Sequence, residues 1–215
     1  NESALKELQQ TLGKERILCL PFDVTQKDLH ATAIEEIKRH WGGLNIAILN
    51  AGACFYIEPG HFKSDVFKET FDVNFMSMVY GIEALMTHWQ EQPGHIVMVG
   101  SIAGYGGLPR SGAYGASKAA VRYLAQSLQV DYLGSNKEIT LVSPGFVKTP
   151  LTDKNTFPMP FIMTSEKAAK IILKGLIQKK PEIYFPFFFT LALKFITSLP
   201  ARWSRKLISF ARERR

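Results

Sequence analysis

The sequence predicts an α/β protein built on a doubly wound, Rossmann-like parallel sheet with helices on both faces. Three observations carry this expectation. Short apolar runs rich in Ile and Val recur along the chain, longer stretches with helical periodicity separate them, and glycine or polar turns follow the runs. A parallel crossover needs a helix-sized connection, so this alternation leads to a parallel rather than an antiparallel sheet.

In chain order, Arg16–Phe22 reads as a strand and Gln26–Trp41 as a helix. Leu44–Asn50 (LNIAILN) is a buried strand ending in Ala51-Gly52. From Ser64 to Trp89, Phe67, Phe71, Phe75, Met78 and Ile82 recur every three to four residues, the spacing of one helix face, and Pro93-Gly94 ends the stretch. His95–Gly100 (HIVMVG) is a third strand, Tyr114–Leu133 a helix and Glu138–Ser143 a fourth strand broken by Pro144-Gly145. Ser165–Lys179 reads as a helix and Glu182–Phe185 as a last short strand. No repeat, low-complexity tract or linker divides the chain, so residues 1–215 form one domain, with 183–215 a hydrophobic and basic C-terminal lid or membrane-surface extension.

The 215 residues are 46% hydrophobic and 21% charged, which sets aside disordered and fibrous classes. The net charge of +7 is unevenly placed. Residues 1–147 hold 12 Lys and Arg against 15 Asp and Glu, whereas residues 148–215 hold 14 against 4. The acidic body supplies no second basic surface, so nucleic acid is not expected as a partner. Cys19 and Cys54 are too few to staple a domain of this size, and the opening Asn1-Glu2-Ser3-Ala4 gives no export cue. A reduced, cytoplasmic protein is expected, with membrane association left to the C-terminus. No metal site is assigned.

In a parallel sheet, ligands bind beyond the carboxyl ends of the strands. Those ends are Asp23-Val24, Asn50-Ala51-Gly52, Ser101 and Pro144-Gly145. Tyr114 and Lys118 lie four apart on one helix face, where an ammonium favours the phenolate and draws its pKa toward the working range. A Tyr and Lys on a solvated helix would look the same, and Ser101, thirteen residues earlier at a strand end, is what turns the reading toward chemistry. Asn74, flanked by aromatics, is either a hydrogen-bonded core amide or a member of a proton relay.

In order and spacing these residues resemble the short-chain dehydrogenase/reductase family. The match runs from about residue 16 to 150: Asp23-Val24, Asn50-Ala51-Gly52, Asn74, Ser101, the Tyr114/Lys118 pair, and Pro144-Gly145-Phe146-Val147-Lys148-Thr149. The resemblance implies hydride transfer between NAD or NADP and an alcohol/carbonyl pair. It makes Tyr114 the general acid/base, Lys118 the group that lowers its pKa and bonds the nicotinamide ribose, Ser101 the holder of the substrate oxygen and Asn74 the support of a relay water. It places Asp23 and Val24 at the adenine, Asn50, Ala51 and Gly52 at the cofactor-side turn, with Tyr114, Lys118, Pro144, Gly145, Val147 and Thr149 toward the nicotinamide and phosphates. It also implies a homodimer or tetramer through the helices at Ser64–Trp89 and Tyr114–Leu133.

Two departures stand out. Leu49-Asn50 replaces the family's usual pair of asparagines, and no glycine-rich turn joins a first strand to a helix, the feature that seats a pyrophosphate. Gly104-Tyr105-Gly106-Gly107 does not substitute, because Leu108-Pro109 follows it. The family's first two strands and the helix between them are expected upstream of Asn1, on the order of 30 to 40 residues. In the strand order 3-2-1-4-5-6 their absence leaves Arg16–Phe22 and Leu44–Asn50 roughly 14 Å apart.

Phe185–Leu193 (FPFFFTLAL) reads equally as core or as a hydrophobic substrate pocket. Leu199, Trp203, Leu207 and Phe210 share a helical face, with Arg202, Arg205, Lys206, Arg212, Arg214 and Arg215 elsewhere, a pattern suited to a membrane interface or a partner groove. Ile183–Leu199, interrupted by Pro186 and Lys194, reads as surface-associated rather than membrane-spanning. The reading from another functional class is a non-catalytic binding or membrane-surface protein that keeps the scaffold without the cofactor.

Overall fold

The computed structural model describes residues 2–153, 155 and 157–213, with side chains described as far as Ser209. Arg214 and Arg215, and the side chains of Phe210 and Arg212, therefore lie outside the described residues. The elements run α1 (Glu2–Leu12), α2 (Lys27–Trp41), β1 (Ile46–Leu49), α3 (Ser64–Phe71), a π-helical segment (Asp72–Met76), α4 (Ser77–Trp89) and β2 (Gly94–Val99). A 3-10 turn (Ile102–Tyr105), α5 (Gly112–Asp131), β3 (Lys137–Pro144), α6 (Ser165–Ile177), β4 (Glu182–Phe185), α7 (Phe187–Ser198) and α8 (Ala201–Glu213) follow.

The four strands are all parallel and lie in the order β1-β2-β3-β4. Helices cover both faces, as expected of a doubly wound sheet. On one face Ile34 of α2, Met78, Ile82, Leu85 and Trp89 of α4, and Val121 and Ala125 of α5 pack against Ile96, Met98, Ile139 and Leu141. On the other, Ala168 of α6 packs on Val97, Val142 and Ile183. The central strands, buried on both faces, account for the near-continuous apolar runs in the sequence.

Helix boundaries follow local chemistry. Gly42, at φ +81°, ends α2 by donating its N–H to the Lys38 carbonyl at 2.8 Å, and Lys38, Arg39 and His40 place positive charge at that end. The Thr164 hydroxyl caps α6 by accepting from the Lys167 N–H.

Arg16–Phe22 is not a strand, contrary to the sequence expectation. A strand is stabilised by ladder hydrogen bonds to a neighbour, and among the described residues none lies beside this segment. It is held instead by α1, an element the sequence reading did not assign. Gln9 Nε2 donates to the Ile17 carbonyl at 2.6 Å, and the Cys19 thiol donates to the Leu5 carbonyl at 3.1 Å. Among the described residues β1 stands at the edge of the sheet, with Ile46 and Ile48 exposed. Among the described residues, no helix is long and apolar enough to cross a membrane.

Candidate active site

The carboxyl ends of β1 and β2, the 3-10 turn, and the start of α5 come together at one end of the sheet. Ser101 leaves β2 in extended conformation and caps the 3-10 turn, its Oγ accepting from the Ala103 N–H at 3.1 Å. That turn then lies directly on α5. A Cβ on Gly104 would stand 2.7 Å from the Lys118 carbonyl, so only glycine permits the approach. This contact brings the Ser101 hydroxyl toward the Tyr114 phenol.

Burial pushes the Tyr114 phenol up to about 12, while the bond from Ser101 opposes the rise. One helical turn on, Lys118 is only 3% exposed, and burial draws its ammonium down to about 8. Its Nζ donates to the Val99 carbonyl at 2.9 Å and sits 5.9 Å from the Tyr114 ring centroid. The sequence spacing suggested that the cation would draw the phenol down; in the folded chain, desolvation raises it.

Asn74 occupies the middle of the π-helical segment, where the extra residue per turn aims its side chain across at β1 and α5. The amide is fully buried and fully used. Its Oδ1 accepts from the Ala53 N–H at 2.7 Å, and its Nδ2 donates to the Ala53 carbonyl at 2.9 Å and to Ser117 Oγ at 3.0 Å. Ser117 in turn donates to the Tyr114 carbonyl at 2.8 Å. Asn74 thus clamps the Asn50-Ala51-Gly52 turn to the helix carrying the Tyr/Lys pair. A Cβ on Gly52 would meet Asn74 Oδ1 at 3.3 Å and Lys118 Nζ at 3.5 Å.

The remaining sequence-selected residues are placed less centrally. Asp23 is exposed, its carboxylate accepting from the Thr25 N–H and hydroxyl, which holds it below the usual range. Val24 offers its carbonyl to His30 Nε2 at 2.8 Å. Pro144 ends β3, Gly145 donates to the Phe185 carbonyl at 2.7 Å, and Val147 bridges Met163. The Val147 carbonyl accepts from the Thr152 hydroxyl, which in turn accepts from the Thr149 N–H.

Sequence reasoning missed a polar and aromatic group beside Tyr114 and Lys118. The half-buried Cys54 thiol, pushed up by burial, interacts with Tyr56, Tyr114 and Lys118. Tyr56 donates to Asn155 Oδ1 at 2.8 Å and packs edge-on against Phe157 at 5.5 Å, and Phe157 lies 6.1 Å from Phe146. Closeness to Ala51-Gly52 was the sole signal for Cys54, and Asn155 and Phe157 carried none.

Residues 1–158 match the family described as short chain dehydrogenase. An uncharacterized oxidoreductase of Myxococcus xanthus is 32% identical over 198 residues, covering 92% of this chain and 78% of that protein. Another, from Staphylococcus saprophyticus, is 34% identical over 154 residues, 69% of this chain and 62% of that one. Among solved structures, a short chain dehydrogenase/reductase from Burkholderia phymatum in complex with NAD superposes with a TM-score of 0.78 over 89% of this chain and 78% of its own, at 18% identity, a likeness of fold. On the family match and the Myxococcus alignment, the chain belongs to the short-chain dehydrogenase/reductase family of NAD(P)-dependent oxidoreductases.

Proposed function

We propose that the protein interconverts a hydrophobic alcohol and its carbonyl compound, with Ser101, Tyr114 and Lys118 managing the proton and NAD or NADP as the second substrate. The observation that carries this reading is the gathering of Ser101 and Tyr114 at the sheet's carboxyl end, with Lys118 buried one turn away and bonded to the end of β2. The residues present fit the nicotinamide end of such a cofactor. Backbone at Gly52 approaches Lys118 Nζ closely enough that a Cβ would fill the space, and Val99 takes only one of the ammonium's three donors. Lys118, Asn50, Ala51, Gly52, Pro144, Gly145, Val147 and Thr149 would hold it there, and Asp23 and Val24 the adenine end. Once bound, the nicotinamide gives or takes the hydride.

The chain's own task is the proton. A phenol raised to about 12 is protonated at neutral pH, so Tyr114 is prepared to donate to a carbonyl oxygen that the Ser101 hydroxyl also holds. As the proton leaves, Lys118, still largely charged at neutral pH with its value near 8, stabilises the phenolate. In the reverse direction, Tyr114 takes the hydroxyl proton. The aromatic lining of Tyr56, Phe146 and Phe157 favours an apolar substrate.

Exposed Tyr123 and Val130, seven apart on α5, support pairing of subunits through that helix. Cytoplasmic residence with peripheral membrane contact belongs to the same reading, supported by the basic balance of residues 148–215. Fluorescence titration with NADH and NADPH tests the enzyme reading, which fails if neither binds. Tyr114→Phe is expected to abolish turnover while leaving cofactor affinity nearly unchanged; normal turnover would remove Tyr114 from its role.

A further inference from the structure

A helix on the surface of a soluble protein ordinarily turns a charged or polar face to water. α7 does not. Its inner face carries Thr190 and Leu193, and Thr197 lies against Gly106. The outer face carries Phe188, Leu191, Ala192 and Phe195, with Phe188 83% and Phe195 66% exposed, and Ser198 is its one polar residue, in the last position. The helix's one charged residue, Lys194, turns inward, pairing with Glu182 at 2.8 Å over the rings of Tyr105 and Tyr184.

The apolar surface extends beyond the helix. Phe161, 67% exposed, rests 5.7 Å from Phe189, and Trp203 and Leu207 of α8 are also exposed. Arg202, Arg205 and Lys206 of α8 are exposed, and among the described residues no carboxylate pairs with them. An apolar face beside unpaired cations is complementary to an anionic lipid surface. A second copy packed symmetrically on the same patch would bring these cations together. The charge division acts in the same sense, because an anionic surface repels the −3 body of residues 1–147 and attracts the +10 of residues 148–215.

The patch adjoins the site. Pro186, the residue before α7, follows Phe185, whose carbonyl accepts from Gly145, and the next residue, Phe146, begins the aromatic series Phe146, Phe157, Tyr56 that ends beside Tyr114. We propose that the outer face of α7, with Phe161 and the basic side of α8, seats the protein on an anionic bilayer, and that its substrates are long-chain alcohols or ketones dissolved in that bilayer. The substrate half rests on the oxidoreductase reading; the docking half does not.

Flotation of the full chain with phosphatidylcholine vesicles containing phosphatidylglycerol, and with phosphatidylcholine alone, tests the docking. Recovery is expected with the anionic vesicles and to fall at least about tenfold for the double variant Phe188→Asp, Phe195→Asp, which loses two inserting rings and gains two charges. The melting midpoint of the variant should match the parent, because both rings are exposed. Equal recovery of parent and variant, or no recovery of the parent, overturns the proposal. So does a dimer, seen by sedimentation, that the variant abolishes. For the substrate, reduction of undecyl methyl ketone carried in the vesicles should drop in the variant, while reduction of acetone in solution should not. Equal rates of parent and variant on the vesicle ketone overturn the bilayer source. Failure to reduce the vesicle ketone, in a chain that floats and binds NADH or NADPH, overturns the substrate half and leaves the docking standing, whereas a chain that binds neither cofactor defeats the oxidoreductase reading instead.

Discussion

Replacing Gly104 by Ala tests whether the seating of the 3-10 turn on α5 holds the site together. The added Cβ would stand 2.7 Å from the carbonyl carbon and oxygen of Lys118 and 2.9 Å from the Ala119 nitrogen. These are backbone atoms, so no side-chain rotation relieves the clash. Ordinary contact begins near 3.4 Å, and the turn must retreat by about 0.7 Å. Overpacking of this kind costs about 1–3 kcal/mol. The replacement also stabilises by about 0.4–1 kcal/mol through the unfolded chain, which makes a net loss the more telling result. At about 2–4 °C per kcal/mol for a chain of this size, a melting midpoint lower by several degrees is expected. Because Ser101 caps the same turn, the retreat also draws its hydroxyl from Tyr114, and a displacement near 1 Å costs about 100-fold in kcat/KM. Gly107→Ala is the control: it lies in the same loop with nothing within 4 Å of its Cβ and should stay within about 0.5 kcal/mol of the parent. If Gly104→Ala melts with the parent and with Gly107→Ala, the close approach is not what positions Ser101.

Asn74→Ala removes three hydrogen bonds and leaves the Ala53 N–H without its buried partner. Urea denaturation should show a loss of about 2–5 kcal/mol, and a loss under 1 kcal/mol would mean that the clamp is not structural. Lys118, near 8 in the folded chain against its ordinary 10.5, makes stability depend on pH. Between about pH 8 and 10 the unfolded chain binds the proton that the folded chain has released, so stability should rise with pH, by up to about 3 kcal/mol. Lys118→Met should flatten that rise in urea melts taken across the window. Burial of Cys54 and Tyr114 acts in the opposite sense in both proteins, so the readout is the difference between them, and parent and Lys118→Met curves of equal slope would contradict the burial of a charged Lys118.

The strands and helices that pack on both sides of the central sheet were legible in the sequence, because their apolar spacing is set by partners within the chain. The Ser64–Trp89 helix was found by its aromatic stripe, but its π-helical turn at Asp72–Met76 was not, since that insertion serves one side chain, Asn74, and leaves the flanking periodicity intact. Arg16–Phe22 misled for the opposite reason. Its composition is that of a strand, but composition expresses fitness for a ladder, and the ladder depends on a neighbour. Tyr114, Lys118 and Ser101 were legible as a set because helix spacing and a strand end fix their relative positions. Tyr56, Asn155 and Phe157 were not, because they meet through loops separated by 99 residues or more in the case of the Tyr56–Asn155 bond.

Burial makes Lys118 costly to charge and Tyr114 hard to ionise, and the 3-10 turn lies against the same helix, its Gly104 at the Lys118 carbonyl. Sequence spacing places the two groups on one helix face and says only that they can interact. The fold decides how. It sets Lys118 between Gly104 and Gly52, places the Ser101 hydroxyl rather than a carboxylate by the phenol, and ties the ammonium to the end of β2 through the Val99 carbonyl. At neutral pH the result is a protonated phenol beside a largely protonated amine, one group ready to release a proton and the other able to stabilise the charge left behind. In the proposed reaction, that state is the one needed to protonate a carbonyl oxygen.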